Sequence, residues 1–370
     1  MKTVVFIRGS NIYSDSRATK EILALQEAGY HVVVLGWDRN GRAKHNVKMQ
    51  FASNVEFRFF SLALKNGIIG KRADFLLRWI FWVYKNLTEI KNISIVHACD
   101  LDAGIGAYLY CKKAHTALVY DIYDYYVDSH SVPLHIRNFI ENIEIKIIEF
   151  SKVTIICTEE RREQIKKARA QKVIVIHNSP EVEQVNTVDL VYDYVYCGSL
   201  ANNRLLQEIL EEYKNYSNLR VAFAGDGVFK TMVEDCAEMY ANFEYLGEIS
   251  YDQVLSVESR ARALSAIYEP SMRNHQLCAP NKFYEALALG KPVIVCRGTG
   301  IDKIVEKENI GRVIDYSAKA FYESIEDIKE SDTDSKRMGK NARSLYGRKY
   351  NWKLMKTEML KAYGSIESKK

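Results

Sequence analysis

Residues 279–295 read APNKFYEALALGKPVIV. Phe283 to Leu289 have helical spacing, Pro280 or Asn281 suits the helix start, and Gly290 stands at the stop. An apolar run, KPVIVC (291–296), follows as a buried strand. The order loop, short helix, glycine, strand is one repeat of an α/β fold. The free N–H groups at such a helix start, aided by the helix dipole, attract an anion such as phosphate. Glu285 lies about one turn in, and its carboxylate can accept two hydroxyl hydrogens, which suits a ribose diol. A lone glutamate on a helix is ordinarily a solvated one. Here loop, stop glycine and strand agree, and they favour a binding role.

The same rhythm extends in both directions. TVVFI (3–7), HVVVLGW (31–37), VEFRFF (55–60), SIVHA (94–98), ALVYDI (117–122), VTIICT (153–158) and KVIVIHN (172–178) read as strands, separated by helical patterns. Runs of this kind predict parallel strands covered on both faces, a doubly wound domain. The polar segment 179–193 has no helical period and reads as a linker. YVYCGSL (194–200), RVAFAGDG (220–227), FEYLGE (243–248), ALSAIYEP (263–270), KPVIVC (291–296) and GRVIDY (311–316) restart the pattern. The tail from Asp334 to Ile366 reads as helix, with Trp352, Leu354, Met355, Met359, Leu360 and Tyr363 spaced to dock one face. The expected domains are 1–180, 190–350 and a closing helix, 351–370.

At 370 residues the chain exceeds one ordinary core, in keeping with two domains. It is 47% hydrophobic and 27% charged, a soluble globular balance. A net charge of +5 is mildly basic and does not indicate nucleic acid. The seven cysteines have no CxxC pair or zinc spacing and read as reduced thiols of a cytoplasmic protein. No signal peptide and no run of about 18 apolar residues is visible, so no spanning segment is expected.

With these residues in view, APNKFYEALALGKPVIV resembles the donor-binding segment of GT-B glycosyltransferases of the retaining, GT4-like group. The resemblance runs along nearly the whole chain. YSDSRATKEILALQEAGYHVVVLGW resembles the family's first loop, helix and second strand. IVHACDLDAG and LVYDIYDYY resemble its acceptor-domain strand ends. YVYCGSL and VAFAGDG resemble the opening of its donor domain, and NARSLYGRKYNWKLM resembles its closing helix. The implied fold is GT-B: two Rossmann-like domains facing across a cleft, the last helix crossing back to the first domain. Two departures stand out. Leu277 occupies the place of a second glutamate, though PNKFYE fits a Pro-x-Lys-x-x-Glu version of the loop. Tyr123 stands where the family often has a histidine.

The resemblance implies a hexosyltransferase. It would move a sugar from a nucleoside diphosphate sugar to a glycan acceptor, lipid-linked, in surface polysaccharide synthesis, with retention. Gly198, Arg204, Asn281, Lys282 and Glu285 would bind the donor, with Lys282 slightly better placed than Arg204 for the diphosphate. Gly9 and Ser10 form a loop facing the cleft, and Asp15 beside it reads as a helix N-cap. Asp100, Asp121 and Asp124 end strands of the first domain, where one could orient or deprotonate the acceptor hydroxyl. No cofactor and no metal is expected. His97, His130 and His275 read as loop histidines without metal spacing. Two alternatives remain, a sugar-nucleotide epimerase on the same fold and an inactive scaffold in a membrane glycan-assembly complex.

KRADFLLRWIFWVYKNL (71–87) places Lys71, Asp74, Arg78 and Lys85 in one narrow stripe of an otherwise apolar helix. Such a helix either packs in the first core or lies in a membrane interface with its basic residues on anionic lipid, and a mixed case joins both. The expected location is the cytoplasm, with peripheral contact at the inner face of the membrane.

Overall fold

The computed structural model describes residues 2–10, 12, 15–38, 51, 54–61, 69–184 and 188–368, with the side chains of 69–73 outside the description. Tyr13 and Ser14 of the first loop, and the Lys71 side chain, therefore lie outside the described residues. The chain forms two units, Met1–His177 with Met355–Lys370, and Asn178–Leu354.

The first unit holds a parallel sheet of seven strands, β1 (Thr3–Arg8), β2 (His31–Asp38), β3 (Val55–Ser61), β4 (Ile93–Cys99), β5 (Ala117–Ile122), β6 (Val153–Ile156) and β7 (Val173–Val175). Their order is β3-β2-β1-β4-β5-β6-β7. The second unit holds β8 (Tyr192–Cys197), β9 (Val221–Ala224), β10 (Phe243–Tyr245), β11 (Ala261–Ala266), β12 (Val293–Cys296) and β13 (Gly311–Ile314), in the order β10-β9-β8-β11-β12-β13. Each sheet reverses its direction of growth once, between β1 and β4 in the first and between β8 and β11 in the second. Open α/β sheets bind ligands outside the strands' carboxyl ends at such a switch point.

The helices that matter below are α1 (Ser16–Glu27), α2 (Ile69–Glu89), α3 (Asp100–Ala114), α4 (Leu134–Phe150), α5 (Tyr251–Ser259), α6 (Asn281–Leu289) and α7 (Trp352–Glu367). Asp15 caps α1, accepting from Ala18 N–H at 3.1 Å. Gly290 ends α6 in the left-handed region at φ 64°, where a Cβ would be strained.

Two segments differ from expectation. The run 172–178 pairs in the sheet only over Val173–Val175. The backbone beyond it is used otherwise, with the Ile176 carbonyl accepting from Arg17 at 3.0 Å. The tail is not one helix. It breaks at Asn351, whose side chain donates to the Gly347 carbonyl at 2.6 Å and accepts from Leu354 N–H at 3.0 Å, capping α7. In α7, Met355, Met359, Tyr363 and Ile366 are buried, whereas Leu354, expected on the docking face, is 40% exposed.

α2 packs its Trp79, Val83 and Leu87 into the first core, with Trp79 stacked on Trp37 and Trp82. Its opposite side exposes Leu77 and Phe81 with Arg78 and Lys85. The helix is therefore core on one face only. Trp79→Ala should cost about 3–5 kcal/mol, the range for a large buried aromatic, whereas Phe81→Ala should stay within roughly 0.5 kcal/mol. Urea unfolding of the two variants measures both, and equal losses would contradict this division of faces.

Candidate active site

In the second unit the site residues gather at the carboxyl ends of β8 and β11. Gly198 follows β8, and a Cβ built on it would stand 3.7 Å from Lys282 Cε. Lys282, in the first turn of α6, donates to Glu285 Oε2 at 2.7 Å and to Glu258 Oε1 at 2.8 Å. Glu258, from α5, is fully buried and Glu285 is 1% exposed. Burial, and then the charge of Glu285, push the Tyr251 phenol up. Two carboxylates around one ammonium leave an excess negative charge in a buried place. Glu258 takes up the strain: burial, and then the charge of Glu285, push its carboxyl up to about 8 against the pull of Lys282. For Lys282, burial opposes the charge but the two carboxylates outweigh it, so the ammonium is held.

Arg204 lies in the loop after β8, between Asn203 and Leu205, both in the left-handed region at φ 65° and 57°. Non-glycine residues adopt this only where the surroundings enforce it. Here Glu269 N–H donates to the Asn203 carbonyl at 3.0 Å and Leu205 N–H to the Tyr316 hydroxyl at 2.9 Å. Arg204 Nη1 donates to the Tyr268 hydroxyl at 3.1 Å, and its guanidinium lies 4.8 Å from that ring's centroid. Among the described residues no carboxylate pairs with it. Lys282 meets two acidic side chains, Glu285 and Glu258, whereas Arg204 meets the Tyr268 hydroxyl. Asn281 opens α6 and is exposed; Leu277 is half-buried. His275 sits in a single helical turn, Arg273–Gln276, within a stretch expected to be loop.

In the first unit, Arg8 ends β1 and bridges the switch point. It donates to Asp15 at 2.9 Å and to Asp100 on the far side. Asp100 is held at φ 64°, and its other oxygen accepts from Tyr123 N–H at 2.9 Å and Asp124 N–H at 3.1 Å. Burial pushes its carboxyl up to about 6 against the pull of Arg8. Asp121 is fully buried, gripped by Arg17 at 2.7 and 3.0 Å. Arg17 also donates to Glu21 at 3.0 Å. Asp124 differs from both: it is about half exposed and pairs with Arg161 at 3.1 Å. Of the three expected carboxylates, Asp100 joins two strand ends, Asp121 is interior, and Asp124 meets solvent. Tyr123 lies under both guanidiniums, with Arg8 4.0 Å and Arg17 4.4 Å from its ring centroid. A Cβ on Gly9 would stand 1.9 Å from the Asp102 carboxylate, so a side chain there would push that carboxylate aside. The Ser10 hydroxyl is buried without a hydrogen-bond partner among the described residues.

His97 is no loop residue. It is fully buried at the end of β4, its Nδ1 2.6 Å from the Tyr363 hydroxyl of α7. With Cys99 and Asp121 it forms a group of three donor atoms within 4.8 Å. The Arg17 guanidinium already supplies the cation that Asp121 needs. Glu258, Arg8 and Glu21 escape a reading of motifs. The one signal for Glu258 is its place three and four residues after Leu255 and Val254, a charge on the apolar stripe of α5.

Residues 18–184 match the family model Glycosyltransferase Family 4, and residues 181–345 match Glycosyl transferases group 1. Placed end to end on two parallel α/β units, these matches define the class: the chain belongs to the GT4-like glycosyltransferases of the GT-B fold. Sucrose-phosphate synthase from Thermosynechococcus elongatus is similar in structure at 14% identity and TM-score 0.77, covering 100% of both chains. HepE of Anabaena, solved with UDP and glucose, is similar at 14% identity and TM-score 0.71, covering 99% of this chain and 100% of its own. WaaG, a glycosyltransferase involved in lipopolysaccharide biosynthesis, is similar at 14% identity and TM-score 0.65, covering 96% and 98%. No curated protein matches.

A carboxyl whose folded-state pKa stands above its unfolded value keeps a proton that the unfolded chain releases. Stability therefore falls as pH rises from the ordinary glutamate value of 4.5 toward about 8 for Glu258. Glu258→Gln should flatten this fall by up to about 1.4 kcal/mol per pH unit. Urea midpoints across that window measure it, and an unchanged slope would place the proton elsewhere.

Proposed function

We propose that the protein transfers a hexosyl group from a nucleoside diphosphate sugar to a glycan acceptor, with retention and without a metal or cofactor. The observation that carries this reading is Arg204, a guanidinium at the switch point of the second sheet that has no carboxylate partner among the described residues. Charge grows on the diphosphate as the sugar leaves, and a preplaced cation stabilises it most in that state. The start of α6 adds its N–H groups, and Glu285, steadied by Lys282, receives the ribose hydroxyls. Glu258 acts through Lys282 and is a positioning residue. On the acceptor side Asp124 is the carboxylate that a bound hydroxyl reaches, while Asp100 and Asp121 hold the strand ends in place. HepE with its bound UDP and glucose supports the donor class.

A thermal-shift screen of nucleoside diphosphate sugars tests the donor class, followed by calorimetry. Glu285→Gln should weaken donor binding about tenfold, the loss of a charged hydrogen bond. Arg204→Ala should lower kcat more than it lowers affinity for the bare nucleoside. Wild-type turnover in Arg204→Ala would remove the diphosphate from this place. Sugar release without an acceptor would instead indicate an epimerase.

The acceptor in this reading is lipid-linked and serves surface polysaccharide synthesis, at the inner face of the cell membrane. Among the described residues no helix is long and apolar enough to cross a membrane. The support for contact is an apolar surface on three neighbouring helices. α2 and α4 both pack against α3, and together they expose Leu77, Phe81, Leu109, Leu134 and Phe139. WaaG, with its role in lipopolysaccharide biosynthesis, supports the acceptor class. Flotation with anionic vesicles should carry the protein upward and weaken with salt, as screening over roughly 10 Å at 0.1 M requires. Leu77→Ser with Phe81→Ser should abolish flotation, and a wild-type protein left in the soluble fraction would refute the contact.

A further inference from the structure

The opposite end of the first unit holds a second feature, away from the strand ends that carry Asp100 and Asp124. At the amino ends of β5, β6 and β7 lies a pocket of about 510 Å³. Lys112, in the last turn of α3, Lys152, entering β6, and Lys172, entering β7, line it from three separate segments. All three are exposed. Lys172 Nζ lies 3.2 Å from the Ser365 hydroxyl, Lys152 Nζ lies 3.4 Å from Gln171 Oε1, and Lys112 stands 5.7 Å from the Tyr108 ring centroid. None of the three forms an ion pair among the described residues, and no acidic residue lines the pocket. Nearby Lys166 and Lys167 do find carboxylates, in Glu163 and Glu141.

Three lysines around one pocket, without an ion pair among the described residues, make its surroundings positive and attract an anion. The absence of arginine narrows its shape. A guanidinium fork suits a planar carboxylate, whereas ammonium groups act as point charges toward separate oxygens. A phosphate monoester offers three acceptor oxygens and a charge of about −1.5 to −2 at neutral pH. The pocket is larger than a bare ion requires, since volumes of roughly 300–1,000 Å³ hold organic ligands. Leu118, Phe150 and Ile366 give it an apolar wall for the rest of the molecule.

We propose that this pocket binds a phosphate monoester, at a site separate from the one that takes the sugar donor. Ser365 and Ile366 belong to α7, so a bound ligand joins the end of that helix to the loops entering β6 and β7. The phosphate is carried either by a small soluble ester or by a lipid headgroup.

Calorimetry with glycerol 3-phosphate and flotation on vesicles containing phosphatidic acid, against vesicles brought to the same charge with phosphatidylglycerol, a phosphodiester, separate the two sources. The variant Lys112→Ala/Lys152→Ala/Lys172→Ala should bind the effective probe at least tenfold more weakly than wild type. The corresponding triple arginine variant should keep the charge and most of the binding. Hydrogen exchange at residues 362–368 should slow when the probe binds. Binding of either probe that depends on the three lysines supports the site and names its source. Binding of neither probe, or equal binding by wild type and the alanine variant, overturns it.

Discussion

The first unit is organised around one buried guanidinium. Arg17 leaves α1 and meets Asp121 on β5 with two hydrogen bonds, Glu21 one turn along its own helix, and the Ile176 carbonyl beyond β7. Removing a charge from water costs several kcal/mol, and only a complete set of partners offsets it. The arrangement is therefore all or nothing. Loss of one partner strands the others, at a cost of about 3–5 kcal/mol in comparable buried pairs. This constraint fixes where α1 crosses the sheet, and with it the loop through Gly9 and Ser10.

The second unit solves a related problem with the signs exchanged. There the minority charge is the Lys282 ammonium between Glu258 and Glu285. The first unit bridges its switch point with an ion pair, Arg8 to Asp100. The second leaves there a cation, Arg204, that meets the Tyr268 hydroxyl. Two sheets of the same plan thus differ in what they offer an anion.

Much of the fold could be read from the chain because buried parallel strands are written as local apolar runs, and TVVFI or PVIVC needs no partner to be recognised. The helix around Glu285 was legible for the same reason, since proline, helical spacing and Gly290 are neighbours in sequence. Pairings across long separations are not written locally. Nothing near Asp121 announces that Arg17, 104 positions away, will bury it. Nothing near His97 announces Tyr363, 266 positions away. Nothing near Lys282 announces Glu258, which comes from a helix with no motif of its own.

The contribution of α7 to the first core has a consequence for synthesis on the ribosome. Met359 and Tyr363 are buried with residues that were translated long before them, and the Tyr363 hydroxyl meets His97. The first unit cannot close when His177 emerges, because its last helix does not yet exist. The whole second unit must be made first, which at 5–20 residues per second takes roughly 10–40 s. Through that interval the nascent first sheet carries an uncovered apolar slot. The second unit, a continuous segment from Asn178 to Leu354, needs no such wait. In this chain the domain translated first is the one completed last, and the interval between is when a chaperone has most to cover.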